Sequence, residues 1–263
     1  MSKPQGYPPC ATMLRALDRT AFGEETFRGI LSNALDRGYR FARFDDPDFL
    51  SEQGDSPVLY IRHDVDISPN MAFRLGKIEN EWNISSNFFF QFDAETYSFF
   101  GSDTLTIVRA LRNMGHCVGL HIDERLLGSD KHAIRRTFDW VNEHIVTIDP
   151  VVSFHRPTPA VLGRRYEGFL STYDDRVFDI KCYLSDSRRS LAFHETLTEW
   201  IKDGRPRIQL LLHPEWWCEV SCMDEFWDLL SSRRADQLRR YMLDNFPKVF
   251  SGIVNHENGT HKI

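Results

Sequence analysis

Apolar residues recur along this chain in two alternating rhythms. Phe27, Ile30, Leu31 and Ala34 fall at helical spacing, and Gly38 follows as a C-terminal stop. The run Val58-Leu59-Tyr60-Ile61 is short, continuous and apolar, as a buried parallel strand is. Met71, Leu75, Ile78 and Trp82 then mark a helix, opened by Ser68 as N-cap and Pro69 as first helical residue. The alternation continues with a strand over 87–91 and a helical stripe of Ile107, Ala110, Leu111 and Met114 that stops at Gly115. A strand over 117–120 precedes a helix through Ile134, Phe138, Val141 and Ile145. A strand over 151–154 follows Pro150, another covers 179–184, and the clearest late strand is 208–212. Phe226, Leu229 and Leu230 begin a C-terminal helical region.

Repeated strand–helix units without a Gly-rich phosphate loop predict an α/β fold, a distorted (β/α) barrel rather than a dinucleotide-binding sheet. Seven strands and an N-terminal helical extension are expected. At 263 residues and 41% hydrophobic content the chain suits one domain of barrel size, with 1–50 as the extension and 58–250 as the catalytic core. The net charge of −6, with scattered basic residues, predicts no nucleic-acid partner. No stretch approaches the roughly 20 apolar residues of a membrane span. The first residues lack the apolar run of an export signal, so a cytoplasmic location is expected. The five cysteines form no disulfide framework; Cys218 and Cys222 sit at helical spacing for a metal, with free thiols the favoured reading.

Four polar clusters follow apolar runs: Arg62-His63-Asp64-Val65-Asp66, His121-Ile122-Asp123, His155-Arg156-Pro157 and His213-Pro214-Glu215. In a barrel the C-terminal strand ends converge on one face, where such groups build a site. Asp64 and Asp66 are two apart and so project to the same side of an extended segment. Two close carboxylates repel unless a cation relieves them, so one can ligate a divalent metal while the other accepts a proton. The competing reading is a solvated turn in which Asp66 caps the next helix.

These clusters, in this order, resemble the polysaccharide deacetylase family (carbohydrate esterase family four). Asp64 and Asp66 match its acidic pair, with one residue between the acids. Gly115-His116-Cys117-Val118-Gly119-Leu120-His121 matches its Gly-His-x-x-Gly-x-His segment. Arg156-Pro157-Thr158-Pro159 is similar to its Arg-x-Pro element, and Leu211-Leu212-His213 to its Leu-x-His strand. The resemblance implies Asp64 as general base, Asp66 and His121 as metal ligands, Arg156 orienting the base and His213 as general acid. It also implies that Asp186, in Ser185-Asp186-Ser187-Arg188, supports that histidine; a plain surface loop is the competing reading. The family's second metal histidine, four residues after the first, is absent, because position 125 is Arg125. His155 is the expected replacement, ahead of Asp123, His116 and His63. Trp216 and Trp217 are candidates for an acyl pocket, a sugar platform or plain core.

The resemblance implies a zinc-dependent hydrolase that removes an N-acetyl or N-formyl group from an amino sugar, in surface polysaccharide biosynthesis. The substrate is expected on a nucleotide- or lipid-linked precursor. The alternatives are a non-catalytic sugar-binding relative and another barrel metallohydrolase such as a phosphoesterase.

Overall fold

The computed structural model describes residues 20–46, 56–124 and 131–250; Cys10 and Arg125 lie outside them. Contacts group the chain into two units. One is Phe22–Cys218, which holds the sheet and all the residues discussed below; the other includes the C-terminal helix Met223–Asn245.

The strands of the first unit are β1 (Arg40–Phe41), β2 (Val58–Val65), β3 (Asn87–Gln91), β4 (Cys117–Asp123), β5 (Val151–His155), β6 (Leu170–Ser171), β7 (Tyr183–Ser185) and β8 (Arg207–Leu212). Its helices are α1 (Glu24–Asp36), α2 (Pro69–Glu81), α3 (Ser102–Asn113), α4 (Lys131–His144) and α5 (Leu191–Lys202). Every strand pairing is parallel, in the order β6-β5-β4-β3-β2-β8-β7. This is a distorted (β/α) barrel, open between β6 and β7. Seven strands run in that order, as expected. The eighth, β1, is an addition: Arg40 and Phe41 pair with Val58 and Leu59, on the start of β2, before β3 joins at Arg62. The N-terminal segment thus supplies a strand as well as a helix.

Strand parity decides what faces the barrel interior, because successive side chains point to opposite faces. Val65, Phe88, Phe90, Val118, Leu120, Ile122, Val152 and Phe154 face outward into one apolar core with Val108, Leu111, Ile134 and Phe138 from α3 and α4. The opposite parity holds Tyr60, Phe89, Cys117 and Val151, which plug the N-terminal end of the barrel. Continuing along the same faces toward the strands' C-terminal ends come Arg62 and Asp64, His121 and Asp123, and Ser153 and His155.

Between β2 and α2, the outward face of β2 also carries a buried polar group. His63 Nε2 lies 2.8 Å from Glu79 Oε1, and Glu79 Oε2 accepts from the Ser86 hydroxyl at 2.6 Å. His116 Nδ1 accepts the Ser86 backbone N–H at 3.1 Å, leaving its Nε2–H to donate to the Gly76 carbonyl at 3.0 Å. His63 and His116 are therefore structural, and neither reaches the barrel interior.

The glycines of the Gly-His-x-x-Gly-x-His segment have separate physical reasons. Gly115 sits at φ 92°, closed to most side chains. Gly119 faces the narrow interior, where an added Cβ would come within 2.2 Å of the Val151 carbonyl oxygen and 2.9 Å of the Phe89 ring. Gly119→Ala should therefore destabilise the chain by about 1–3 kcal/mol through overpacking. Urea unfolding of the purified variant checks this; an unchanged midpoint would show that β4 and β5 separate freely.

Candidate active site

Asp64 is held from two sides. The Arg62 guanidinium donates from Nε to Oδ1 at 2.9 Å and from Nη2 to Oδ2 at 2.7 Å, a bidentate pair within one strand face. The Ser153 hydroxyl lies 2.9 Å from both carboxylate oxygens. Arg62 is in turn covered by Tyr173, whose ring centroid is 4.7 Å away and whose hydroxyl accepts from Nη2 at 3.1 Å. Burial alone would raise the Asp64 carboxyl, but Arg62 and then His121 outweigh it and hold it well below the usual carboxylate range.

Asp66, His121 and His155 converge beside it, each offering one donor atom, all within 4.8 Å of one another. His121 directs Nδ1 at the Ser153 carbonyl, 2.9 Å away, so that nitrogen carries a proton. Its Nε2 faces Asp66 Oδ1 at 3.3 Å and Asp64 Oδ2 at 3.7 Å. A ring nitrogen aimed at two carboxylates suits either its own proton or a cation between them, and an Asp-His-His set is a donor set that divalent metals accept. Burial raises the Asp66 carboxyl, but His121 more than offsets this, and the net shift is downward. Burial, then His121, lower His155, which keeps its ring neutral and able to ligate. Asp123 lines the same cleft, with its Oδ2 3.9 Å from His155 Nδ1.

His213 follows β8 on the opposite wall. Its Nδ1 is 2.6 Å from Asp186 Oδ1, and its Nε2 is 3.8 Å from Asp66 Oδ2. Asp186 also accepts the His213 backbone N–H and the Trp217 indole N–H. Burial lowers His213, but Asp186 dominates, with Asp64 and Asp66 adding to it, and the ring is raised to about 9. Trp217 is fully buried against Phe22 and Phe27 and belongs to the core.

The six residues singled out in the sequence thus fall around one cleft, whose apolar part is a cavity of about 410 Å³ walled by Tyr173, Phe178, Tyr183 and Leu211. One expected role moves. Arg156 is exposed, sits at φ 53° and lines the cleft without a hydrogen bond to Asp64; Arg62 makes that pair instead. The reason is parity: Arg62 is two residues from Asp64 on the same face of β2, whereas Arg156 follows the end of β5.

Glu215 was not anticipated beyond its place in a cluster. Its Oε1 accepts the backbone N–H groups of Asp66 at 3.0 Å and Ile67 at 2.6 Å, and its Oε2 is buried without a partner. Thr96 and Tyr97 donate to the Asp66 and Val65 carbonyls, so the ligand-bearing turn is fixed from both sides. Burial, then the Asp66 charge, push the Glu215 carboxyl up to about 8.

A second donor group, Asp45, Cys117 and Asp149, lies at the other end of β4. Arg43 pairs with Asp45 and Arg112 with Asp149, while Asp149 also accepts the Val118 N–H. Its carboxylates are already neutralised. Among the described residues no disulfide joins Cys117, Cys182, Cys218 or Cys222.

No family model matches the chain, and no curated protein matches it. Solved structures do. The chitin deacetylase of the fungal pathogen Colletotrichum lindemuthianum is 16% identical with a TM-score of 0.40, over 68% of this chain and 84% of that one. A family 4 acetyl xylan esterase from Clostridium thermocellum, in complex with a cobalt ion, is 16% identical with a TM-score of 0.36, over 66% and 84%. A pseudoenzyme of carbohydrate esterase family four from Bacillus anthracis is 14% identical with a TM-score of 0.37, over 70% and 63%.

Glu215 makes a measurable pH signature. Its native carboxyl titrates at about 8 against an unfolded value of 4.5, so between these pH values the native state holds a proton that the unfolded state does not. Stability then falls as pH rises across that window, by up to ~1.4 kcal/mol per pH unit. In metal-free protein, Glu215→Gln should flatten this slope in urea-midpoint measurements. An unchanged slope would place the titration elsewhere.

Proposed function

We propose that this chain is a metal-dependent hydrolase that removes an N-acyl group, acetyl or formyl, from an amino sugar. One observation carries the proposal: Asp66, His121 and His155 share a cleft with an arginine-held carboxylate, Asp64, and an aspartate-held imidazole, His213. The motif order resembling polysaccharide deacetylases supports the substrate class.

A divalent cation held by Asp66, His121 and His155, for which we favour zinc, supplies Lewis-acid polarisation of the acyl carbonyl and of a water molecule. The protein's own groups do the proton work. Asp64 takes the proton from the attacking water, kept ionised by Arg62 and oriented by Ser153. His213, protonated and braced by Asp186, donates to the departing nitrogen as the C–N bond breaks. The products are a carboxylate and a free amino sugar. The apolar wall of Tyr173, Phe178 and Tyr183 suits the acyl group or a sugar face. Arg156, at the rim, is assigned to substrate contact.

A nucleotide- or lipid-linked precursor of a surface polysaccharide is the substrate we favour. A cytoplasmic setting is part of the same proposal. No helix among the described residues is long and apolar enough to cross a membrane.

Metal analysis of purified protein should find one divalent ion per chain, lost in Asp66→Ala and His121→Ala and reduced in His155→Ala. Full occupancy in all three would refute the ligand set. Asp64→Asn and His213→Ala should keep fold and metal yet lose ~10²–10⁴ of the rate of amine release from N-acetyl and N-formyl sugars. If the wild type binds a sugar but releases no amine, and Asp64→Asn binds it equally, the chain is a binding module.

The acid has its own test. Asp186 raises the His213 ring, so the alkaline limb of the rate should lie above the ordinary imidazole value of 6.5. Asp186→Asn removes the partner that raises it, so the alkaline limb should move down in pH. A limb that stays in place would take the acid role from His213.

A further inference from the structure

Asp64 and His121 stand on different strands, separated by β3, and the reaction needs them in a fixed relation. One residue touches both. Ser153, fully buried in β5, pairs in register with His121 across the β4–β5 ladder. Its hydroxyl lies 2.9 Å from Asp64 Oδ1 and Oδ2 alike, and its backbone carbonyl accepts His121 Nδ1–H at 2.9 Å.

The two contacts have different chemical consequences. A hydroxyl shared between two carboxylate oxygens fixes the carboxylate plane opposite Arg62, which grips the same oxygens. Tyr173 holds the Arg62 end of the pair; Ser153 anchors the carboxylate end to another strand. The carbonyl contact selects the His121 tautomer, so that Nε2 and not Nδ1 faces the cleft. Serine is the smallest residue that offers a hydroxyl here, on the crowded interior face where Gly119 tolerates no side chain.

We propose that Ser153 is a positioning residue that couples the base to the metal ligand, one residue aiming Asp64 through its hydroxyl and His121 through its carbonyl. This rests on the hydrolase reading given above.

The two functions separate by substitution, because Ser153→Ala removes the hydroxyl and leaves the carbonyl. Ser153→Ala should lower kcat ~10–100-fold, with KM and the zinc dissociation constant held within about three-fold. In an Asp64→Asn background the same substitution should change the residual rate by less than about two-fold, since the group it aims is already disabled. An equal loss in both backgrounds, or no loss of kcat in the wild-type background, would overturn the proposal. So would a zinc dissociation constant weakened more than about ten-fold while kcat is kept. A readout independent of turnover comes from histidine-selective NMR of the isotopically labelled, zinc-loaded chain: His121 should carry its proton on Nδ1, in wild type and Ser153→Ala alike. A proton on Nε2 would sink the proposal whatever the activity. A wild type that releases no amine but shows the expected tautomer would instead count against the hydrolase reading and leave the carbonyl contact standing.

Discussion

The site depends on one buried ion pair. Arg62 and Asp64 are both nearly sealed from water, and two charges in such a place are stable only together. Their guanidinium–carboxylate fork lies along a single face of β2, so the strand's own geometry holds the partners in register. Tyr173 covers the guanidinium and Ser153 closes the far side of the carboxylate. Removing either charge would leave the other stranded in the barrel. The cleft then builds outward from this pair: Asp64 faces His121, His121 faces Asp66, and Asp66 faces His213.

A second constraint is the rigidity of the turn after β2. Asp66 lies just beyond the last residue of the strand, where backbone groups lose their ladder partners. Glu215 takes two of its N–H groups, and Thr96 and Tyr97 take two of its carbonyls. Because Glu215 lies two residues after His213, the same short turn that presents His213 to the cleft also fixes the backbone that carries Asp66. Nearby positions in the chain thus serve the ends of two neighbouring strands, β8 and β2.

Much of this was legible from residue order. The strand over 87–91 matches β3 to the residue, and the spacing of Asp64 and Asp66 announced a shared face. Ser68-Pro69 opens α2, although Ser68 makes no side-chain cap hydrogen bond. What escaped has physical reasons. The two-residue strands β1 and β6 are too short to show a period. Helix α5 carries a stripe of Phe193, Leu197 and Ile201 behind the N-cap Ser190, a signal that was present and passed over. Arg62 was also readable, since it stands at the same parity as Asp64, but attention to the arginine after β5 hid it. Ser153 and Glu215 could not be read at all: their partners lie 89 and about 150 residues away, and only the folded sheet brings them together.

The alternation in β2 has a consequence for folding. Along this strand every second residue faces the barrel interior, with Arg62 and Asp64 at the cleft, and the residues between belong to the helix-facing layer. A slip of one position would send Arg62 and Asp64 together under α2, away from Ser153 and Tyr173, and would turn Val65 toward the cleft. Each misplaced polar group would be stranded in an apolar layer, at a cost of roughly 2–7 kcal/mol. The polar groups of the cleft therefore also act as a register check during assembly. A chain stripped of them would lose an obstacle to mispairing.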